Sequence, residues 1–94
     1  MTLALQLNAL LNLTRRRKLY WERNPDSESC SCEYNGSLLI VSKYYENGVA
    51  FFVLFGFTPR NATPVRIQHT DNDYELVKTF FDAVINAAVT VTIR

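Results

Sequence analysis

Residues 29–57, SCSCEYNGSLLIVSKYYENGVAFFVLFGF, decide the fold. Asn35-Gly36 supplies two consecutive residues that tolerate positive φ, the strongest short hairpin signal a sequence offers. On one side of it Ser29 to Tyr34 alternates, with Cys30, Cys32 and Tyr34 on a common face. On the other side Ser37 to Tyr45 forms the returning strand. Glu46-Asn47-Gly48 reads as a second turn, and Val49 to Phe57 as a further strand that is apolar on both faces. Such a strand is expected to lie centrally in its sheet.

Working outward toward the N-terminus, Asn24-Pro25-Asp26-Ser27 is a turn. Pro presets the first central dihedral, and Asp is expected to bond its own backbone. Lys18 to Arg23 reads as a strand with Leu19 and Trp21 on one face. Before it, Leu3, Leu7, Leu10, Leu11 and Thr14 follow helical spacing, with Thr2 as N-cap. Arg15, Arg16, Arg17 and Lys18 close that helix, where cations suit the negative end of its dipole.

Toward the C-terminus, residues 58–64 form a loop and Val65 to His69 a last short strand. Thr70-Asp71-Asn72-Asp73 is a capping cluster. Tyr74, Val77, Phe80, Phe81, Val84, Ile85 and Ala88 then trace one apolar helical stripe, opposite Glu75, Lys78, Asp82 and Asn86. Residues 89–94, VTVTIR, switch to period two. They read either as a terminal strand, which two subunits can exchange, or as a frayed helix end. The expected fold is a single α+β domain over residues 1–94. An N-terminal helix, an antiparallel meander of four or five strands and a C-terminal helix pack in two layers.

From Leu10 to Ala87 the chain resembles small bacterial domains of uncharacterised function. The likeness is carried by the leucine-rich helix, Lys18-Leu19-Tyr20-Trp21-Glu22, Tyr34-Asn35-Gly36-Ser37-Leu38-Leu39-Ile40, and Asp73-Tyr74-Glu75-Leu76-Val77-Lys78. It implies this fold and a bacterial or phage setting, and it carries over no catalytic residues. The alternating C-terminal tail departs from the pattern.

Composition narrows the function classes. The chain has 94 residues, 48% of them hydrophobic, with six Phe, five Tyr and one Trp. That content supports a packed core. Ten Lys and Arg against nine Asp and Glu leave a net charge of +1, so no global field points to nucleic acid or an anionic membrane. Met1 to Leu13 lacks the basic start and small-residue cleavage site of a signal peptide, and no other stretch is apolar enough to span a bilayer. A cytoplasmic protein is expected. Asn12, Asn35 and Asn61 open Asn-x-Ser/Thr triplets, which eight Asn among many Ser and Thr produce by chance.

Chemistry-bearing groups are sparse. Cys30 and Cys32 sit about 6–7 Å apart on a strand rising roughly 3.3 Å per residue. A disulfide there is strained, so reduced thiols are expected. His69 is the only histidine and stands alone as a metal ligand, so no metal or cofactor is expected. Its neighbours Asp71 and Asp73 suggest a tuned general base, but no nucleophile or phosphate loop accompanies them. No enzyme activity is expected.

Two binding readings follow. The paired aromatics Tyr44-Tyr45 and Phe51-Phe52 each send one member to the side of the sheet away from the helices. An exposed aromatic face marks a partner surface, with Tyr20, Tyr44, Phe52 and Leu54 as the candidate contacts. The N-terminal helix carries Leu5 and Leu13 off its main stripe, which suits a homodimer. The second reading is a single-stranded nucleic-acid binder. Arg15, Arg16, Arg17 and Lys18 would hold phosphates beside Trp21 as a stacking ring, worth about 1–3 kcal/mol per base. A hairpin sheet followed by a helix is similar to single-strand-binding transcription cofactors.

Overall fold

The computed structural model describes residues 2–57 and 63–90. The order is α1 (Leu3–Arg15), β1 (Glu22–Arg23), β2 (Ser29–Tyr34), β3 (Ser37–Glu46), β4 (Val49–Phe55), β5 (Val65–Ile67), α2 (Tyr74–Ala87) and β6 (Val89–Thr90). The strands form one six-stranded sheet in the order β5-β4-β3-β2-β1-β6. β1 to β5 are an antiparallel meander, as the two Asn-Gly turns dictate. Asn35 and Gly36 have φ of 51° and 77°, and Asn47 and Gly48 have 53° and 79°. Both turns are therefore two-residue loops with left-handed central residues, the geometry whose twist matches a hairpin.

Both helices lie on one side, so the fold is α+β in two layers. Leu7, Leu10, Leu11 and Thr14 of α1 and Val77, Phe80, Phe81 and Val84 of α2 are buried. They share one core with Cys30, Cys32, Leu39, Val41, Phe52, Leu54 and Ile67 from alternate positions of the strands. Trp21 sits inside it, edge-on to Phe80 at 5.9 Å. Its indole N–H donates to Thr14 Oγ1 at 3.1 Å, and that hydroxyl donates to the Leu10 carbonyl at 2.7 Å. A buried threonine on an apolar helix face thus has a role, because the indole would otherwise be left without an acceptor.

Several element ends differ from expectation, each for a visible reason. α1 begins as read, with Thr2 Oγ1 accepting the Leu5 N–H at 3.2 Å. It ends in a Schellman cap: Lys18 N–H donates to Leu13 O at 2.9 Å and Arg17 N–H to Thr14 O at 3.1 Å. Arg17, at φ 57°, occupies the left-handed position that glycine usually fills. Residues 16–18 are used in this cap, so the first strand shortens to Glu22–Arg23. In the next turn Asn24, not Asp26, supplies the side-chain bond, its Oδ1 accepting the Asp26 N–H at 2.9 Å.

β4 lies one strand in from the β5 edge and stops at Phe55. Gly56 has φ 84°, and a Cβ on it would collide with the Leu38 carbonyl. That kink breaks the alternation and turns Phe57 into the core, where it meets Phe80 at 5.7 Å. β5 ends at Ile67 because the Asp71 carboxylate accepts the Gln68 N–H, at 2.6 Å, and starts a turn. Asp73 is the N-cap of α2 but makes no side-chain cap bond. Val89–Thr90 is a strand, parallel to β1 (Glu22↔Val89, Arg23↔Thr90), not a continuation of the helix. The rest of the tail, residues 91–94, lies outside the described residues.

Candidate functional site: the open face of the sheet

The register across the sheet assigns each side chain to a face. Cys30, Val41, Leu54 and Val65 are aligned partners beneath the helices. The intervening positions therefore point the other way: Leu38, Ile40, Ser42 and Tyr44 on β3, Val49, Phe51, Val53 and Phe55 on β4, Ser29, Ser31 and Glu33 on β2, Glu22 on β1, Arg66 on β5 and Val89 on β6. No helix covers this face among the described residues. Its centre is apolar. Leu38 is 47% exposed, Tyr44 49% and Val49 42%, with Ile40, Phe51, Val53 and Phe55 half-buried between them.

Two contacts order this surface. The Tyr44 and Phe51 rings stack across β3 and β4 at 5.5 Å between centroids. The Arg66 guanidinium lies 3.8 Å above Phe51 and donates to Glu46 at 3.1 Å. Aromatic cross-strand pairs and exposed cation–π contacts are each worth about 0.5–1 kcal/mol. They hold the rings flat without burying them. At mid-sheet the Ser29 and Ser42 hydroxyls bond each other at 2.8 Å. Near β1, Tyr20, Glu22, Ser31, Glu33 and Leu38 line a shallow groove of about 300 Å³.

Of the four expected partner contacts, two lie on or beside this face. Tyr44 belongs to its centre, and Tyr20 borders it at 63% exposure. Phe52 and Leu54 do not belong to it. Both are 0% exposed, and Phe52 packs on Phe81 at 5.5 Å. The correction follows from the second turn. Glu46 pairs with Val49 across Asn47-Gly48, so Tyr44 must pair with Phe51, and Lys43 with Phe52. Tyr44 and Phe52 cannot share a face. That signal was in the sequence, and it selects Phe51, Val53 and Phe55 instead.

The nucleic-acid residues are also divided. Arg15, Arg16, Arg17 and Lys18 are exposed. Arg15 and Arg17 line a groove of about 390 Å³ with Thr79, Asp82, Ala83 and Asn86 of α2. They therefore belong to the helical layer, across the sheet from Tyr44 and Phe51. Trp21 is 0% exposed and its N–H is taken by Thr14, so no base can stack on it. Tyr20 is the exposed ring beside the cluster.

The remaining groups are quieter. Cys30 and Cys32 are buried free thiols. Burial pushes the Cys30 thiol up to about 11, against a smaller opposing pull from Arg23. Burial also raises Cys32, offset in part by a backbone hydrogen bond at Tyr20. Lys43 is held above the ordinary lysine value, chiefly by its hydrogen bond with Tyr45. His69 is exposed, and the Asp71 carboxylate beside it is engaged by the Gln68 backbone. Among the described residues no three His, Cys, Asp or Glu side chains gather as a metal would require, and no helix is long and apolar enough to cross a membrane. No protein-family model, curated protein or solved structure matches this chain.

Proposed function

We propose that this chain is a non-enzymatic interaction module that docks a partner protein on the open face of its sheet. The observation that carries the reading is the apolar centre on β3 and β4. The stacked pair Tyr44–Phe51 sits there with Leu38, Ile40, Val49, Val53 and Phe55, on the side away from both helices. Contiguous exposed apolar surface has a hydration cost that a partner removes, and aromatic side chains concentrate binding energy in such patches. A reducing, cytoplasmic setting belongs to the same proposal, supported by two neighbouring thiols left free. So does a bacterial or phage source, which the resemblance of residues 10–87 implies.

The test pairs a neutral apolar dye, Nile red, with the double variant Tyr44→Ala/Phe51→Ala. The native protein is expected to enhance the dye's fluorescence. The variant is expected to lose the enhancement while keeping its far-ultraviolet circular dichroism. Unchanged dye binding in the variant would remove the face from consideration. Light scattering during an oligo-dT titration supplies the competing outcomes. Salt-sensitive binding that depends on Arg15, Arg16, Arg17 and Lys18, at a log–log slope of about −0.7 per phosphate, would replace the proposal with a nucleic-acid role. A stable dimer lost on Tyr44→Ala/Phe51→Ala would make the partner a second copy.

A further inference from the structure

Among the described residues the open face has a charge of its own, opposite in sign to the chain's. Its rim carries three carboxylates, Glu22 on β1, Glu33 on β2 and Glu46 on β3, all exposed. Among the described residues its one guanidinium, Arg66, pairs with Glu46 and stacks on Phe51, which leaves Glu22 and Glu33 to meet a partner's charge. The chain as a whole is +1, so the cations are concentrated elsewhere, with four of them consecutive at Arg15 to Lys18 on the helical layer. An occupant of the apolar centre meets Glu22 and Glu33 at its margin, on the strands beside Leu38. Charge complementarity across such a rim governs which partners are accepted and how fast they arrive.

Building on the reading of this face as a docking surface, we infer that its partner is a cationic amphipathic protein segment, with apolar side chains on Tyr44, Phe51 and Val53 and lysines or arginines facing Glu22 and Glu33. Three candidate occupants separate on sign alone. A nucleic-acid strand would bring phosphates against the carboxylates. A second copy docked by the same face would bring a second set of carboxylates against the first. A basic segment meets them with opposite charge, and the aliphatic stems of its lysines can lie along Leu38 and Tyr20.

Two short amphipathic peptides test this, identical in their leucines and differing in whether the polar positions are lysine or glutamate. Fluorescence anisotropy would report binding to the full chain. The leucine–lysine peptide is expected to bind, and the leucine–glutamate peptide to bind at least about tenfold more weakly. Glu22→Gln/Glu33→Gln should weaken the lysine peptide by about tenfold and flatten its salt dependence. Glu75→Gln/Asp82→Asn, which removes two carboxylates from the outer face of α2, should change neither. Equal binding of the two peptides, or equal losses in the rim and α2 variants, would overturn the cationic partner. If Tyr44→Ala/Phe51→Ala lowers binding of both peptides while the charge variants change nothing, the docking face stands and only this inference fails. If that double variant lowers neither, the docking face itself fails.

Discussion

Phe51 and Phe52 are neighbours in the chain with identical side chains, and they do opposite work. Phe52 points into the helical layer, is 0% exposed, and meets Phe81 at 5.5 Å and Tyr74 at 5.7 Å. Phe51 points to the other side, where its ring lies between Tyr44 and the Arg66 guanidinium. The same alternation separates Leu54 from Phe55 and Val41 from Ile40. In a sheet whose described residues place helices on one side only, composition cannot distinguish a covered side chain from one on the open face. Parity in the strand register does.

The sharpest way to break this comparison is to truncate both phenylalanines. Phe52→Ala should lose about 3–5 kcal/mol in urea denaturation, a large share of the 5–15 kcal/mol typical of a whole domain. Phe51→Ala should lose no more than about 1 kcal/mol, the scale of an exposed cross-strand or cation–π contact. Equal losses would mean that the open face is part of the core.

Two smaller effects sharpen the covered side. Thr14→Val keeps the shape but strands the Trp21 N–H in the core, an expected cost of about 1–3 kcal/mol. Gly56→Ala places a Cβ against the Leu38 carbonyl at a left-handed φ. It should cost about 1–3 kcal/mol and disturb the Phe57–Phe80 contact, visible in near-ultraviolet circular dichroism. Normal stability in Gly56→Ala would show that the kink is not what buries Phe57.

The thiols give a pH signature of the same side. The folded Cys30 thiol titrates at about 11, against 9.0 for an unhindered thiol. The folded state therefore holds its proton where the unfolded state has released it. Stability is expected to be level below about pH 9 and to decline between about 9 and 11, a decline that Cys30→Ser should reduce. Ellman's reagent should label the native thiols slowly at pH 8 and rapidly after unfolding. Fast native labelling would place them outside the core. Smallest of all, Arg17→Gly should raise stability by about 1 kcal/mol, since glycine carries no penalty at the left-handed cap. No gain on thermal unfolding would mean that the arginine side chain offsets its backbone strain.

Much of the fold was legible because local chemistry and periodicity agreed. Two Asn-Gly pairs set the meander, and the stripe from Tyr74 to Ile85 set α2. What escaped were features that depend on backbone geometry at single residues. An arginine at a Schellman cap carries no glycine signal. The kink at Gly56 gives an apolar run of strand formers no mark at which to stop. The parallel pairing of Val89–Thr90 with β1 joins distant segments that no local pattern links. The candidate site was half legible. The structure leaves Tyr44 and Tyr20 exposed, whereas Phe52 and Leu54, chosen without counting register through Asn47-Gly48, are buried. Trp21 looked available beside four cations because its hydrogen-bond partner, Thr14, lies seven residues earlier on α1.

The most direct test of a sheet with one face for folding and one for binding is an amide chemical-shift map of the ¹⁵N-labelled chain during titration with the leucine–lysine peptide. Shifts are expected to cluster on Leu38, Ile40, Tyr44, Phe51, Val53 and Phe55, with Glu22 and Glu33 at the margin. A cluster on Arg15 to Lys18 and the outer face of α2, with the β3–β4 centre unmoved, would contradict it.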